Sequence, residues 1–168
     1  MRATLLHILT NPTVQAKLLT ELSSSNLSSP ITDAEARKLP YLQAVIKEGL
    51  RIFSPATGFM SKIVPTGGDT LHGLFVPEGT SIGWSPFGVM RNRDVWGKDA
   101  MVFRPERWLE GNPDQIAKRE LDVEMCFGYG KYQCLGKNIA GIELNKVFVE
   151  VSEISHVIPR TKREAFRW

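Results

Sequence analysis

The 168-residue chain has few of the residues that staple small domains or hold metals: two cysteines, Cys126 and Cys134, and three histidines, His7, His72 and His156. Two cysteines are too few for a disulfide framework and point to a reducing compartment, although a single Cys126–Cys134 bridge stays open at this point. The histidines are scattered, so neither cysteine has one at zinc-ligand spacing. No apolar run is long enough to span a bilayer, and Met1 is not followed by a signal-peptide pattern. A large excess of one charge is also missing. The net charge of +3 permits an acidic partner or a membrane surface and does not point to nucleic acid. The one basic cluster, Arg160-Thr161-Lys162-Arg163 with Arg167 beyond it, reads as a solvated tail. There is no internal repeat, no low-complexity segment and no sign of a domain boundary. The remaining composition, 42% hydrophobic, suffices for one ordinary globular core.

The densest chemistry lies in Phe127-Gly128-Tyr129-Gly130-Lys131-Tyr132-Gln133-Cys134-Leu135-Gly136. Apolar residues then recur at helical spacing (Leu135, Ile139, Ile142, Val147, Val151), so the loop is expected to deliver Cys134 to a helix N-terminus. The positive end of a helix dipole favours a thiolate. Glycines without a Cβ allow positive φ and the close approach of a large flat ligand. A thiolate presented in this way could be a nucleophile or a metal ligand.

Residues 2–10 read as the end of a helix without a cap, followed by Asn11 capping a second helix with Pro12 at its first position and Val14, Leu18, Leu19 and Leu22 buried. Ser23–Pro30 reads as a loop, and Thr32-Asp33-Ala34-Glu35 as a capping box opening a short helix. Pro40 opens a stronger helix to about Phe53, with Leu42, Val45, Ile46, Leu50 and Phe53 on its buried face. Glu48 and Arg51 lie three apart on the opposite side, where taken alone they read as a solvated ion pair. Extended segments Phe59–Val64 and Leu71–Val76 flank Pro65-Thr66-Gly67-Gly68-Asp69 as a hairpin, and Ser81–Trp84 follows as a third strand. A helical piece is expected around Arg91–Asp99. Residues 100–126 show little periodicity and read as an irregular, functional or ligand-covering segment. The cysteine loop and a helix from 136 to about Val151 close the pattern, giving a mainly α chain with a small β-sheet, of α+β class.

Three stations in this order resemble the C-terminal, haem-binding part of a cytochrome P-450: E-x-x-R (Glu48, Arg51), P-E-R-W (Pro105, Glu106, Arg107, Trp108) and F-x-x-G-x-x-x-C-x-G (Phe127, Gly130, Cys134, Gly136). The match runs from about residue 2 to 150, and the wording of the middle resembles fungal members related to pisatin demethylase. The resemblance implies that Cys134 is the axial thiolate on haem iron. It implies that Phe127 packs beside the sulfur, and that Gly128, Gly130 and Gly136 let the loop lie against the porphyrin. Glu48, Arg51 and Arg107 would form a buried charge network, with the 100–126 segment covering the helix face that otherwise reads as solvated. Pro55–Met60 would border the substrate. Where many members carry Arg or His to pair a haem propionate, this chain has Tyr132, and Lys131 and Lys62 are the candidate substitutes.

The resemblance further implies a monooxygenase that inserts one oxygen atom of O2 into a small apolar organic substrate. Electrons would come from an NADPH-dependent reductase, at the cytosolic face of the endoplasmic reticulum membrane. The family's acidic–threonine pair, membrane anchor and N-terminal half would lie upstream of residue 2. The 152–168 segment departs from the family as a divergent basic tail, so an incomplete or misread reading frame is the expectation. Two alternatives remain at this stage. One is oxygen-independent isomerase or dehydratase chemistry on the same haem; the other is a non-enzymatic remnant with weak haem binding.

Overall fold

The computed structural model describes residues 1–157, with side chains through Ser152. Helices α1 (Arg2–Thr10), α2 (Pro12–Ser24), α3 (Asp33–Ala36) and α4 (Pro40–Ile52) come first. Strands β1 (Met60–Ile63), β2 (Asp69–Leu71), β3 (Leu74–Val76) and β4 (Ser81–Trp84) follow, then the short helices α5 (Pro86–Val89) and α6 (Arg93–Trp96). A 3-10 turn at Pro105–Trp108, α7 (Pro113–Glu124), two further 3-10 turns at Met125–Phe127 and Gly130–Tyr132, and α8 (Lys137–Val157) complete the order. The α+β expectation holds.

The helix starts follow from local chemistry. The Asn11 side chain accepts from the Val14 N–H, with Pro12 in the first turn, and Thr32 and Glu35 form the reciprocal capping box. The cap of α4 comes from another element. Leu39 offers no side-chain acceptor, and the Glu21 carboxylate on α2 takes the N–H groups of Tyr41 and Leu42 at 2.7 and 2.8 Å. An anion at a helix N-terminus complements both the orphan donors and the dipole. It also fixes α4, the helix that carries Glu48 and Arg51, against α2.

Two cores flank α4. One gathers Val14 and Leu18 of α2, Leu42 and Val45 of α4, and Phe148 and Val149 of α8; the other holds Ala44, Met90, Trp96, Ala100, Trp108 and Val123. Helices α1 and α4 cross so closely that a Cβ on Gly49 would lie 2.2 Å from Oγ1 of Thr4. On α4, Leu42, Val45 and Ile46 are buried as expected, whereas Phe53, just past the helix end, faces solvent.

Several expectations are corrected. Phe59–Val64 and Leu71–Val76 are not partners. Strand β1 pairs antiparallel with β4 (Met60 opposite Trp84, Ile63 opposite Ser81), and β2 pairs with β3 in a separate two-stranded sheet. The tight turn is His72-Gly73, with φ of 49° and 80°, the left-handed pair that matches strand twist in a two-residue hairpin. The helical piece expected around 91–99 is present as the short helix α6, and a second short helix, α5, precedes it. Residues 100–126 are not uniformly irregular either: α7 is a 12-residue helix whose Asn112 and Gln115 form a capping box, with Pro113 in the first turn.

Finally, α8 continues past Val151 to Val157, and the face along it that packs inward is Leu144, Phe148 and Val149. Leu135, Ile139 and Ile142 of the expected stripe are exposed. The basic cluster of the tail lies outside the described residues.

Candidate haem-thiolate site

The polar side of α4 is where the three stations begin to meet. Glu48 and Arg51 are completely buried and Arg107 is 1% exposed, so the solvated reading of the pair gives way to the network. The Glu48 carboxylate accepts five hydrogen bonds. Oε1 takes Arg51 Nη2, the Arg104 backbone N–H and Arg107 Nε at 2.8, 2.8 and 3.0 Å. Oε2 takes Arg51 Nε and Trp108 Nε1 at 2.9 and 3.0 Å. Arg51 spends its remaining donors on the carbonyls of Met90, Ala100 and Val102. Arg107 spends its own on Trp96, Asp99 and Val102. This near-complete satisfaction is what makes a buried carboxylate with two guanidiniums tolerable, and it welds the 90–108 segment to α4. Burial works against ionisation of Asp99, but hydrogen bonds from Arg104 and Arg107 outweigh it and hold the carboxyl below its ordinary range.

From this network a sequence of contacts runs to the cysteine loop. Arg119 of α7 donates to the carbonyls of Arg107 and Glu110 at 2.6 and 3.0 Å. Lys47 of α4 pairs with Glu120, and Lys137 in the first turn of α8 pairs with Glu124 at 3.1 Å. The chain then leaves α7 through the Met125–Phe127 turn into the loop. The loop closes on itself: the Cys134 N–H donates to the Phe127 carbonyl at 2.7 Å, and the Lys137 N–H to the Cys134 carbonyl at 3.3 Å. Gly128, at φ 75°, has no room for a side chain, since a Cβ would stand 2.7 Å from the Tyr132 carbonyl oxygen.

The two cysteines are separate free thiols, which removes the disulfide left open above. Burial pushes the Cys126 thiol up to about 12. Cys134 is exposed, at the entry to α8, beside fully exposed Leu135 and largely exposed Ile139. Gly136 keeps its neighbourhood open, a Cβ there lying 3.7 Å from the Cys134 Sγ. Gly130 is exposed at φ 60° with nothing around it, and Lys131 is exposed beside the Tyr132 ring. Phe127 contributes its carbonyl to the loop, while its side chain lines a cleft of about 210 Å³ with Lys47, Leu50, Val123 and Lys137. A larger cavity of about 560 Å³ lies between Phe59–Lys62 of the β1 segment, Ile82–Trp84 of β4 and Gly128, Tyr129 and Tyr132 of the loop.

These residues fit a haem. Among the described residues no group of three or more His, Cys, Asp or Glu could hold a metal, and one accessible thiol is a single protein ligand. An ion held by one protein ligand must bring its other ligands with it, as a porphyrin does. The exposed apolar surround of Leu135 and Ile139 suits a flat apolar body.

Sequence reading missed Trp108 and Asp99 as members of the network, the Arg119 link and the Glu21 cap. Trp108 stands next to Arg107 in the motif and could have been suspected; the carbonyl partners carry no side-chain signature.

A mainly helical chain that buries an E-x-x-R pair against a P-E-R-W turn, and presents one thiol from a glycine loop, defines a haem-thiolate protein. The chain belongs to the cytochrome P-450 family, whose model matches residues 1–152. It is 44% identical over 155 residues to cytochrome P-450 monooxygenase aba1 of Botryotinia fuckeliana (strain B05.10) and 46% identical over 156 residues to cytochrome P-450 monooxygenase ABA1 of Pyricularia oryzae (strain 70-15). In both cases 90% of this chain and 30% of the relative are covered. Pisatin demethylase of Fusarium vanettenii is 37% identical over 147 residues, covering 88% of this chain and 28% of that protein. The chain thus spans under a third of the length of these fungal relatives. Among the described residues no helix is long and apolar enough to cross a membrane.

Proposed function

We propose that Cys134 would hold the iron of a haem in a monooxygenase that acts on a small apolar organic substrate and draws electrons from an NADPH-dependent reductase. The observation that carries the reading is the exposed Cys134 thiol at the entry of α8, in a loop tied through α7 to the buried Glu48–Arg51–Arg107 network. Haem bound there would supply the activation of O2 that a monooxygenase needs.

The residues of this chain bind and orient. The Phe127 carbonyl fixes the Cys134 backbone, while Gly128, Gly130 and Gly136 leave the loop free of side chains against the porphyrin. Lys131 adds a positive charge at the loop's edge. Glu48, Arg51 and Arg107 are positioning residues; none touches the reacting atoms. Residues 1–151 form part of one haem domain, and 152–168 begins in α8 and ends in a divergent basic tail. The protein works at the cytosolic face of the endoplasmic reticulum membrane, with no role for nucleic acid.

The test is reconstitution of residues 1–168 with haem and the absorption spectrum of the reduced carbon-monoxide complex. A thiolate-type Soret band that disappears in Cys134→Ala supports the ligation; a free-haem spectrum in both overturns it.

A further inference from the structure

Helix α8 follows directly on the cysteine loop, and its rotation about its own axis decides where the end of the loop points. The Lys137 N–H donates to the Cys134 carbonyl at 3.3 Å and the Ala140 N–H to the Gly136 carbonyl at 2.9 Å, so the loop's end turns with the helix. Apolar residues alone do not choose that rotation. Ile139 and Ile142, in line with Leu135 just before the helix, are exposed, while Leu144, Phe148 and Val149 are buried. At 3.6 residues per turn the two sets lie about a third of a turn apart, and burial would reward turning either one inward. Asn145 breaks the tie. It stands in the buried set at 3% exposure, and both ends of its amide are bonded to other helices. Its Nδ2 donates to Oδ1 of Asp33 on α3 at 2.6 Å, and its Oδ1 accepts from Nε2 of Gln43 on α4 at 2.9 Å. Gln43 also donates to the Ala36 carbonyl at 3.0 Å, and Asp33 accepts from Arg37 Nε at 2.7 Å, so the partners are themselves held in place. The pattern is directional: the Asp33 carboxylate accepts, the Gln43 amide nitrogen donates, and Asn145 offers the matching half to each. Glu150 adds a further contact, accepting the Ile31 N–H at 2.8 Å on a longer side chain that can follow a small rotation.

We propose that Asn145 is a positioning residue for Cys134: with Gln43 and Asp33 it sets the rotation of α8, and so keeps the thiol and the Leu135–Ile139–Ile142 side turned outward together. A rotation that buried that side would draw Asn145 away from both partners and leave polar groups unpaired out of water, where they are costly. Single buried asparagines choose the register between packed helices in the same way, at some expense in stability. Asn145 lies about three turns along the helix from Cys134 and acts through the helix alone. The proposal deepens the haem-thiolate reading and rests on it for the role of the thiol; the rotational lock itself belongs to the apo chain.

The experiment places one reporter on the outward side, Ile139→Cys in a Cys134→Ala chain of residues 1–168, and follows its maleimide labelling without haem. Asn145→Leu is compared with Glu150→Ala, which removes a contact of α8 and leaves the amide lock intact. Hydrogen bonds of ordinary worth bias one setting over the other by about tenfold or more. Asn145→Leu should therefore raise the share of a slow, inward-turned labelling phase by about that factor, while Glu150→Ala labels in one fast phase like its parent. In chains that keep Cys134, Asn145→Leu should also lose part of the thiolate-type Soret band of the reduced carbon-monoxide complex, and Glu150→Ala should keep it. Single-phase labelling with an undiminished band in Asn145→Leu overturns the proposal, as do equal losses in both variants, which would mean general loosening. If Asn145→Leu does not fold by circular dichroism, Gln43→Leu removes the partner on α4 without altering α8, and the same readings decide. A wild-type chain with no thiolate band defeats the ligation reading, and the labelling phases then judge the rotational lock by themselves.

Discussion

Arg107 places its Nε 3.0 Å from Oε1 of Glu48, 59 residues earlier in the chain, with both side chains out of water. Every other donor on Arg107 reaches a carbonyl or carboxylate of the 96–102 segment. Arg107→Ala would leave Glu48 short of a cation and release that segment. Removing one partner of a buried pair costs about 3–5 kcal/mol, so the urea midpoint should fall sharply. Arg107→Lys should recover little, since one ammonium cannot reproduce a planar fork that reaches five acceptors. Unchanged urea midpoints in both variants would show that the network does not hold the fold.

How much of this was legible in the sequence depends on which residues carried the signal. The letters of E-x-x-R and P-E-R-W marked Glu48, Arg51 and Arg107, but the wheel put the pair on the polar side of α4. Its burial is a tertiary event, made by carbonyls of Met90, Ala100 and Val102 that no residue type announces. Helix α7 went unread because its inward side has a single buried residue, Val123, even though Asn112, Pro113 and Gln115 spell a helix start. The hairpin was misplaced because Gly67-Gly68 and Gly73 are all turn signals, and only pairing partners decide between them. Along α8 and the residue pair before it, hydrophobic spacing marked Leu135, Ile139 and Ile142, which are exposed, while the buried face is Leu144, Phe148 and Val149. A helix apolar on two sides gives one period and two possible faces.

The carboxyl of Glu35 is held at about 2 by hydrogen bonds from the Ser28 and Thr32 hydroxyls and the Thr32 N–H, against an ordinary value of 4.5. A depressed folded pKa means stability fully present above the unfolded value and lost as pH falls through the folded one. Thermal midpoints should therefore decline between pH 4.5 and about 2, and Glu35→Gln should make that decline shallower. Superimposable profiles for wild type and variant would remove Glu35 from the account of acid sensitivity.

The two thiols should react differently. Cys126 is buried and its thiol is pushed up to about 12, so at pH 8 it is neutral and shielded. Cys134 is exposed. Apo chain treated with a maleimide at pH 8 should take up one label quickly, Cys134→Ala should abolish that phase, and haem bound beforehand should slow it. Two equally fast labels would contradict the burial of Cys126, and indifference to haem would count against Cys134 as the ligand.

Gly49 reports on the α1–α4 crossing. Its missing Cβ would stand 2.2 Å from Thr4 Oγ1 and 2.9 Å from Thr4 Cβ, distances that no side chain occupies without displacement. Gly49→Ala should destabilise the chain by about 1–3 kcal/mol through overpacking. Thr4→Gly should relieve most of that in the double variant, while Thr4→Ala, which keeps its Cβ, should relieve less. The coupling, read from a double-mutant cycle by urea denaturation, distinguishes this contact from a general loss of helix quality.

The glycines of the cysteine loop should divide into two kinds. Gly128 sits at φ 75° with the Tyr132 carbonyl oxygen 2.7 Å from any added Cβ, so Gly128→Ala meets both backbone strain and a clash. Strain of this sort costs on the order of 1–3 kcal/mol, and here it falls on the segment whose Phe127 carbonyl holds the Cys134 N–H. That variant should lose affinity for haem along with stability. Gly136 has no positive φ, and its Cβ would lie at ordinary contact distance, 3.7 Å, from Cys134 Sγ. Gly136→Ala should therefore leave the urea midpoint near wild type yet place a methyl against the sulfur, shifting the Soret band of the haem complex and slowing maleimide labelling of the apo chain. The two substitutions thus separate the loop's backbone conformation from the space around its thiol. Equal losses of stability in both variants would mean that the loop is held by something other than the Gly128–Tyr132 approach.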